Sequence, residues 1–366
     1  MELVKETSPH IKRKDNLTWM LLDVVIALIP VLLCAYIVYP LDALRTILLS
    51  VATMELCEFV FCWIKNKTPK AFKTYNILSA LISAIIYSLA MPVDPGWSNG
   101  MGYVIVIFGA FIGIVVGKLL FGGFGNNIFN PAALGMIVAR LSWGGHMTNV
   151  SSAAMATTDK WIHADVISAG GTSLALDSFS KIDGSLLSKM FLGQVPSSLG
   201  EGFKIAILIG LAYLLIRRTI DWRTFLSYAG TFVFLMFFAS IFVSLKLGDY
   251  SYLYLFTAYE ILAGGFLFGA VYMITDPVTG PVGRPGRVLF GAFGAIVAVF
   301  IRLFASAPEG VGYSILFANM IAPALDYPGY ASATWKKRHF ITLGAMLGVA
   351  VLIVCLSMNY KEGIVK

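Results

Sequence analysis

Long apolar stretches separated by short polar connections recur along the whole chain. Most of them approach the roughly 20 residues that an α-helix needs to cross a hydrocarbon core about 30 Å thick. The pattern therefore predicts about eleven transmembrane helices. Their predicted spans are 18–39, 41–64, 72–91, 103–121, 129–141, 203–217, 225–245, 252–274, 288–304, 311–325 and 340–358.

Composition supports an all-α integral membrane protein. The 366 residues are 58% hydrophobic and only 13% charged, and the mean hydropathy is +0.80, whereas soluble domains carry about 25% charged residues. The net charge of +7 comes from short Lys and Arg clusters between apolar runs, so we predict no nucleic-acid binding. Neither the four cysteines nor the four histidines show metal-ligand spacing, and we predict no protein-bound metal.

Charge in the connections predicts the orientation. The polar, basic segment 1–17 precedes an apolar run without a small-residue cleavage site, which favours a retained signal anchor. Basic connections alternate with connections that have almost no Lys or Arg, and the positive-inside rule places the basic ones in the cytoplasm. We therefore expect a multi-pass protein of the bacterial cytoplasmic (inner) membrane, with its amino terminus inside and its carboxy terminus outside. The long polar segment 142–202 is then extracytoplasmic.

The two halves of the chain resemble each other weakly. Each has a short helix interrupted by proline after a long Gly-rich one, at Asn130-Pro131 and at Asn319 to Pro323. Broken spans at matching places indicate an internal repeat with a site between its copies. We predict two five-helix repeats plus one extra C-terminal helix. The boundaries are a cytoplasmic tail 1–17, a first repeat 18–141, the outer segment 142–202, a second repeat 203–327, and a cytoplasmic loop with the extra helix 328–366.

Three motifs carry a family resemblance. They are the Gly- and Asn-rich segment 122–132, the Thr-Asp-Pro segment 275–281 and the segment 308–326. Their order and spacing resemble those of the D subunit of Rnf electron-transport complexes and of the related B subunit of the sodium-pumping NADH:quinone reductase. An Rnf-type resemblance implies a flavoprotein subunit of a ferredoxin:NAD⁺ oxidoreductase that relays electrons and is coupled to export of Na⁺ or H⁺. It also implies other membrane and peripheral subunits as partners, including a second covalent flavoprotein.

The resemblance further implies FMN joined through its phosphate to a threonine. The corresponding segment, 165–174, departs from the family pattern by one extra residue and by Gly171 before the threonine. We expect Thr172 to be the acceptor, because Ser168, Gly170 and Gly171 leave the backbone accessible and its N–H groups free to bind a phosphate. Such a segment is also typical of an ordinary Gly/Ser-rich turn.

Two neighbouring threonines, Thr157 and Thr158, are the alternative acceptors. Arg140 and the similarly placed Arg302 are candidates to pair with the flavin phosphate, or else to extend towards the membrane surface. A second, noncovalent flavin between the halves is left open.

Other polar residues near the apolar runs are candidates for a binding site. Thr275 and Asp276 precede a proline and indicate either a polar pocket or a simple helix stop. Asn130 lies inside an apolar run and requires a hydrogen-bonding partner. We place all three in the cofactor-binding set.

Acidic residues inside predicted spans are candidates for ion coupling: Asp23, Glu55, Glu58 and Glu260. A charge at mid-membrane costs at least about 2.5–3.5 kcal/mol, so it normally faces a cavity, a partner or an ion path. Glu55 and Glu58 share one helix face. They are interpreted either as a site for Na⁺ or a shared proton, or as partners of basic groups on neighbouring helices or on another subunit.

Two other functions remain open. The B subunit of the sodium-pumping reductase would need a quinone pocket and usually has a longer amino-terminal region. A channel or transporter built from repeated broken helices would have no redox role. Covalent flavin distinguishes the electron-relay function from the transporter.

Overall fold

The computed structural model describes residues 17–67, 72–148, 182–195, 197–304, 310–327 and 331–364. Within these ranges the chain forms helices and loops, with no strand.

In the described part of the first half the chain forms six α-helices. They are α1 Leu17–Val38, α2 Pro40–Asn66, α3 Thr74–Ala90, α4 Met101–Gly117, α5 Pro131–Ser142 and the short α6 Gly144–Thr148. Proline at the first position starts both α2 and α5, where its missing N–H and fixed φ suit a helix start. Helix α2 ends at Lys67, whose left-handed φ of 54° stops further helical hydrogen bonding.

The second half contains a broken helix. Its elements are α7 Gly184–Phe191, α8 Lys204–Arg217, α9 Trp222–Leu247, α10 Tyr252–Leu262, α11 Phe266–Met273, α12 Arg284–Phe304, α13 Val311–Leu325 and α14 Lys337–Ile364. Helices α10 and α11 meet at an angle of 62°. Gly264, with φ of +57°, lies at the break, where a residue without Cβ adopts this conformation most readily.

The helices agree with a multi-pass membrane protein. In the described ranges, six are long and apolar enough to cross a membrane, or seven if α10 and α11 count as one span. Helices α3, α5 and α13 are apolar but shorter, with 17, 12 and 15 residues. Every predicted apolar span contains a helix, while the total of about eleven crossings stays a prediction.

Equivalent helices of the two halves pack in the same way. In the first half α2 packs on α3 and α4, and α4 packs on α5; in the second half α9 packs on α10 and α12, and α12 packs on α13. The halves meet where α1 packs on α8 and where α5 packs on α13. An internal repeat would produce this arrangement. Helix α14 lies against α9 and α12 and is mostly exposed.

Glycines allow α4 and α5 to pack backbone to backbone. A Cβ on Gly113 would lie 2.4 Å from the carbonyl oxygen of Pro131, and one on Gly135 would lie 2.5 Å from the carbonyl oxygen of Gly109. Small residues at such contacts are typical of helix packing in membranes. This contact fixes the start of α5, where the candidate site lies.

Candidate functional site

A cavity of about 120 Å³ lies between the two halves. Helices α1, α3 and α8 form its largely apolar walls, and the start of α5 and the end of α11 supply polar groups. A mostly apolar wall with a few placed polar groups is typical of cofactor sites. The polar lining residues are Ser79, Ser83, Asn127, Asn130, Thr219, Thr275 and Asp276.

Asn130 joins the two halves at this cavity. Its Oδ1 caps α5 by accepting hydrogen bonds from the N–H groups of Ala132 at 3.0 Å and Ala133 at 3.2 Å. Its Nδ2 donates to the carbonyl of Met273 at 3.3 Å. Its backbone N–H donates to Oδ1 of Asn319 at 2.9 Å. The partner expected for an Asn in an apolar run is thus supplied by α11 and α13 of the other half.

Thr275 and Asp276 follow α11, which ends at Met273, and both line the cavity. The Thr275 hydroxyl donates to the carbonyl of Val271. Asp276 accepts from the Val278 N–H at 3.0 Å and from the Thr279 hydroxyl at 3.2 Å. Burial of the carboxyl group raises the pKa of Asp276, although these two donors and the positive charge of Lys118 act in the opposite direction.

The cavity wall contains a buried amide oxygen without a partner. Oδ1 of Asn127 makes no hydrogen bond with any described residue, and Nδ2 of Asn319, on the other side of Asn130, has none either. Buried polar atoms normally find partners, so each unsatisfied one requires an explanation. A ligand with an N–H group at its edge would satisfy Asn127.

A buried lysine lies beside the cavity. The ammonium of Lys118, which follows α4, lies 2.8 Å from Oε2 of Glu58 on α2, and both side chains are almost fully buried. Its Nζ also donates to Oγ of Ser79 at 3.0 Å. The half-buried Glu55 is close enough to interact electrostatically with both Glu58 and Lys118. Lys118 was not among our candidates, although a lysine inside the predicted span 103–121 was a usable signal.

Asp23 lies in a polar contact between α1 and α8. It accepts from Nε of Arg217 at 3.1 Å and from the hydroxyl of Tyr213 at 2.9 Å. It also accepts from the Thr219 hydroxyl at 3.2 Å. Asp23, one of the ion-coupling candidates, thus pairs with a basic side chain of a neighbouring helix.

Glu260 lies at the break between α10 and α11. Nη1 of Arg302 is 3.1 Å from its Oε2 and also donates to its carbonyl, while Nη2 donates to the carbonyl of Ala263. Nζ of Lys204 donates to the carbonyl of Gly264 at 2.8 Å. Two buried cations thereby satisfy carbonyls that the break leaves without helical N–H groups.

The cavity continues into a basic cleft of about 900 Å³, with which it shares Thr219, Thr275 and Asp276. Four arginines line the cleft: Arg218, Arg223, Arg284 and Arg287. Asp221 contacts Arg223 and Arg287. The mouth of the cavity is therefore electropositive, as expected for a cytoplasmic membrane surface.

The predicted flavin-attachment segment lies outside the described residues. This applies to Thr172, Ser168, Gly170 and Gly171 and to the alternatives Thr157 and Thr158. Arg140 is buried in the last turn of α5, at the other end of that helix from Asn130. The structure therefore brings together Asn130, Thr275 and Asp276, and it places Arg140 apart from them.

These features define a class: a multi-pass helical membrane protein with a largely apolar cavity, carrying a few polar groups, where the start of α5 from one half meets the broken helix α10–α11 of the other. The chain belongs to the NQR2, RnfD, RnfE family, whose sequence model matches residues 4–330. The predicted family resemblance is confirmed.

Three relatives illustrate the range of that family. The chain is 29% identical over 324 residues to the D subunit of the proton-translocating ferredoxin:NAD⁺ oxidoreductase complex of Clostridium ljungdahlii, covering 87% of this chain and 92% of the relative. It is 30% identical over 332 residues to the D subunit of the Na⁺-translocating ferredoxin:NAD⁺ oxidoreductase complex of Acetobacterium woodii, covering 89% and 93%. It is 33% identical over 262 residues to the B subunit of the Na⁺-translocating NADH-quinone reductase of Chromohalobacter salexigens, covering 70% and 59%.

Proposed function

We propose that this chain is the D subunit of an Rnf-type ferredoxin:NAD⁺ oxidoreductase and relays electrons within that ion-translocating complex. The share of this chain that aligns carries the choice. The alignments with two D subunits cover 87% and 89% of this chain, whereas the alignment with a reductase B subunit covers 70%. The B subunit of the sodium-pumping reductase is therefore the second candidate.

The cavity supports a noncovalent flavin as one of the bound cofactors. Such a cofactor supplies one- and two-electron redox chemistry when bound. Asn127 would hold it by accepting a hydrogen bond from an N–H group, and the apolar walls from α1, α3 and α8 would exclude water. The basic cleft, lined by Arg218 and Arg284, would attract anionic groups to the mouth.

A variant of Asn127 tests the ligand. Asn127→Ala should release the noncovalent flavin from the purified protein, because the replacement removes the unpaired amide oxygen. The measurement is the flavin absorbance that remains with the protein after gel filtration. Asn126→Ala is the matched control, since Asn126 is an exposed residue of the same loop. Retention of flavin in Asn127→Ala would contradict this assignment.

Covalent FMN at Thr172 is the second part of the proposal, and it rests on the family resemblance. The test is ultraviolet fluorescence of the denatured chain in a gel after coexpression with the flavin transferase. Thr172→Ala should abolish the fluorescence. Thr157→Ala and Thr158→Ala should retain it. A wild-type chain without covalent flavin would favour the transporter function instead.

The ion and its path are the third part. Relatives are named for proton and for sodium translocation, so family membership leaves both ions open. Asp23, Glu58 and Glu260 already contact basic side chains, which leaves Glu55 as the stronger coupling candidate. Replacing Glu55 by Gln should lower ion transport more than electron transfer, measured in proteoliposomes of the whole complex. Equal loss of both activities in a normally assembled complex would argue against coupling.

The proposed location is the bacterial cytoplasmic membrane, with the amino terminus inside and segment 142–202 outside. This orientation rests on the charges of the connections. A cysteine placed at Ser151 should react with an impermeant reagent in intact spheroplasts. A cysteine at Arg218 should react only after the cytoplasmic face is opened. The reverse pattern would invert the topology.

A further inference from the structure

The basic cleft is more specific in its residues than membrane topology requires. Four arginines and two aspartates line it, so positive charges exceed negative ones by at least two. The positive-inside rule counts lysine and arginine alike. The basic residues of the connection 65–73 are all lysines, whereas those of the cleft are all arginines. Arginine has a planar fork of N–H donors that matches a phosphate, while lysine acts as a point charge.

Two of the four arginines are held in place by the protein itself. Asp221, just before α9, pairs with Arg287 and lies 3.4 Å from Nη1 of Arg223. Nε of Arg287 also donates to the carbonyl of Pro281 at 3.0 Å. The guanidinium of Arg223 lies 4.8 Å from the centre of the Trp222 ring. These contacts fix one wall of the cleft before any ligand arrives.

The other two arginines are available to a ligand. Arg218 follows the end of α8, and Arg284 is the first residue of α12. Both are exposed, and neither side chain makes a hydrogen bond or an ion pair with a described residue. Because both line one concave cleft of about 900 Å³, a single anionic group can reach the two guanidinium groups together.

The cleft also has an apolar border. Met20 and Leu215 contribute to its lining. Ile216 of α8 and Leu226 of α9 lie close to the cleft in sequence and are exposed, as is Trp222 in its wall. Exposed tryptophan at the end of a membrane helix is typical of the boundary between hydrocarbon and headgroups. The site thus suits a molecule with an anionic head and apolar chains.

We propose that the basic cleft binds the headgroup of an anionic phospholipid, whose phosphate is held by Arg218 and Arg284. The acyl chains lie along the exposed apolar sides of α8 and α9. Basic pockets between membrane helices bind anionic headgroups in this way. A free phosphate compound would meet the same arginines but would leave the apolar border unused.

The position of the headgroup has a consequence for the cavity. The cleft and the cavity share Thr219, Thr275 and Asp276. A lipid headgroup in the cleft would therefore cover the mouth of the cavity. The lipid site itself requires no particular ligand in the cavity, so it stands independently of the proposed flavin.

Binding of defined lipids to the purified full chain tests the site. The chain in detergent micelles is mixed with phosphatidylglycerol or with phosphatidylcholine of the same acyl chains, and bound lipid is counted by native mass spectrometry. The test variant is Arg218→Gln with Arg284→Gln. The matched control is Lys336→Gln with Lys337→Gln, which removes the same charge from exposed lysines of another basic connection. Arg218→Lys with Arg284→Lys keeps the charge and removes the fork.

We expect the wild type to bind phosphatidylglycerol more tightly than phosphatidylcholine. The Gln pair in the cleft should lower the affinity for phosphatidylglycerol on the order of 10–100-fold, the effect of losing two basic residues at a headgroup. The Lys336 and Lys337 control should bind like the wild type, and the Arg-to-Lys pair should bind more weakly than the wild type. Circular dichroism should show unchanged helix content in all variants, because exposed side chains contribute little to folding.

Three results would overturn the lipid site. Equal affinity of the wild type for the two lipids would remove the need for an anionic headgroup. Equal weakening in the cleft variant and in the lysine control, or full affinity in the Arg-to-Lys pair, would show a general attraction to surface charge. Displacement of phosphatidylglycerol by excess inorganic phosphate or FMN would assign the cleft to a free phosphate compound instead.

Discussion

Asn130 offers the sharpest test of how the two halves are held together. Its side chain makes three hydrogen bonds, two that cap α5 and one to the Met273 carbonyl. Asn130→Ala removes all three, but it leaves the backbone bond to Asn319 in place. Asn130→Ser keeps a capping oxygen and loses only the amide that reaches Met273. The two variants therefore separate capping from the contact between the halves.

The magnitudes follow from the lost contacts. Replacing an N-cap Asn by Ala costs about 0.5–2 kcal/mol, and a hydrogen bond between membrane helices averages about 0.6 kcal/mol. Asn130→Ala should thus lower the free energy of unfolding by about 1–3 kcal/mol. Asn130→Ser should lower it by less than about 1 kcal/mol, because serine is about as good a cap as asparagine.

Unfolding of the full chain by SDS in mixed micelles, followed by circular dichroism, measures these differences. Asn126→Ala is the control, since Asn126 is exposed in the same loop. Ligand-free protein must be used, because a ligand at Asn130 would add its own stabilisation. Equal losses in the Ala and Ser variants would refute the capping argument. No loss in either would refute the role of Asn130 in joining the halves.

Two further predictions concern buried charges. The pKa of Asp276 is raised in the folded state. The contribution of its carboxyl group to the free energy of unfolding is therefore fully present below the ordinary aspartate pKa, and it is lost as the pH rises through the raised pKa. Asp276→Asn should therefore gain thermal stability relative to wild type as pH increases through that window, and a difference independent of pH would contradict this. Arg302→Met should lower the free energy of unfolding by about 3–5 kcal/mol, because it leaves the buried Glu260 carboxylate without its cation. Adding Glu260→Gln to this variant should restore on the order of 1–3 kcal/mol of that free energy in a double-mutant cycle. Additive losses would show that the two side chains are not coupled.

Helix positions could be predicted because lipid requires apolar runs with polar ends. The span predicted at 311–325 is helix α13, Val311–Leu325, and the span predicted at 18–39 is α1, Leu17–Val38. In both cases the apolar run alone determines the helix. The break in the predicted span 252–274 was less visible, although Gly264-Gly265 marked the place.

The contacts that form the site could not be read from the sequence. The partner of Asn130 on α11 is 143 positions away, and that of Ser79 is 39 positions away. Periodicity describes one helix at a time and carries no information on which helices meet. For Glu58 the sequence left ion coupling and pairing open. The structure shows that Glu58 pairs with Lys118, which lies inside the predicted span 103–121.

Two of the buried cations, Lys118 and Arg302, occupy similar places in the two halves but make different contacts. Lys118 and Arg302 lie near the ends of α4 and α12, which are equivalent helices of the two halves. Arg302 donates to two carbonyls and one carboxylate at the break, and such multiple contacts hold a planar guanidinium in place. Lys118 contacts one carboxylate, that of Glu58 on α2, and one hydroxyl, that of Ser79 on α3. In the proposed orientation Arg302 therefore stabilises the break on the extracytoplasmic side, while Lys118 joins α2, α3 and the end of α4 beside the cytoplasmic cavity.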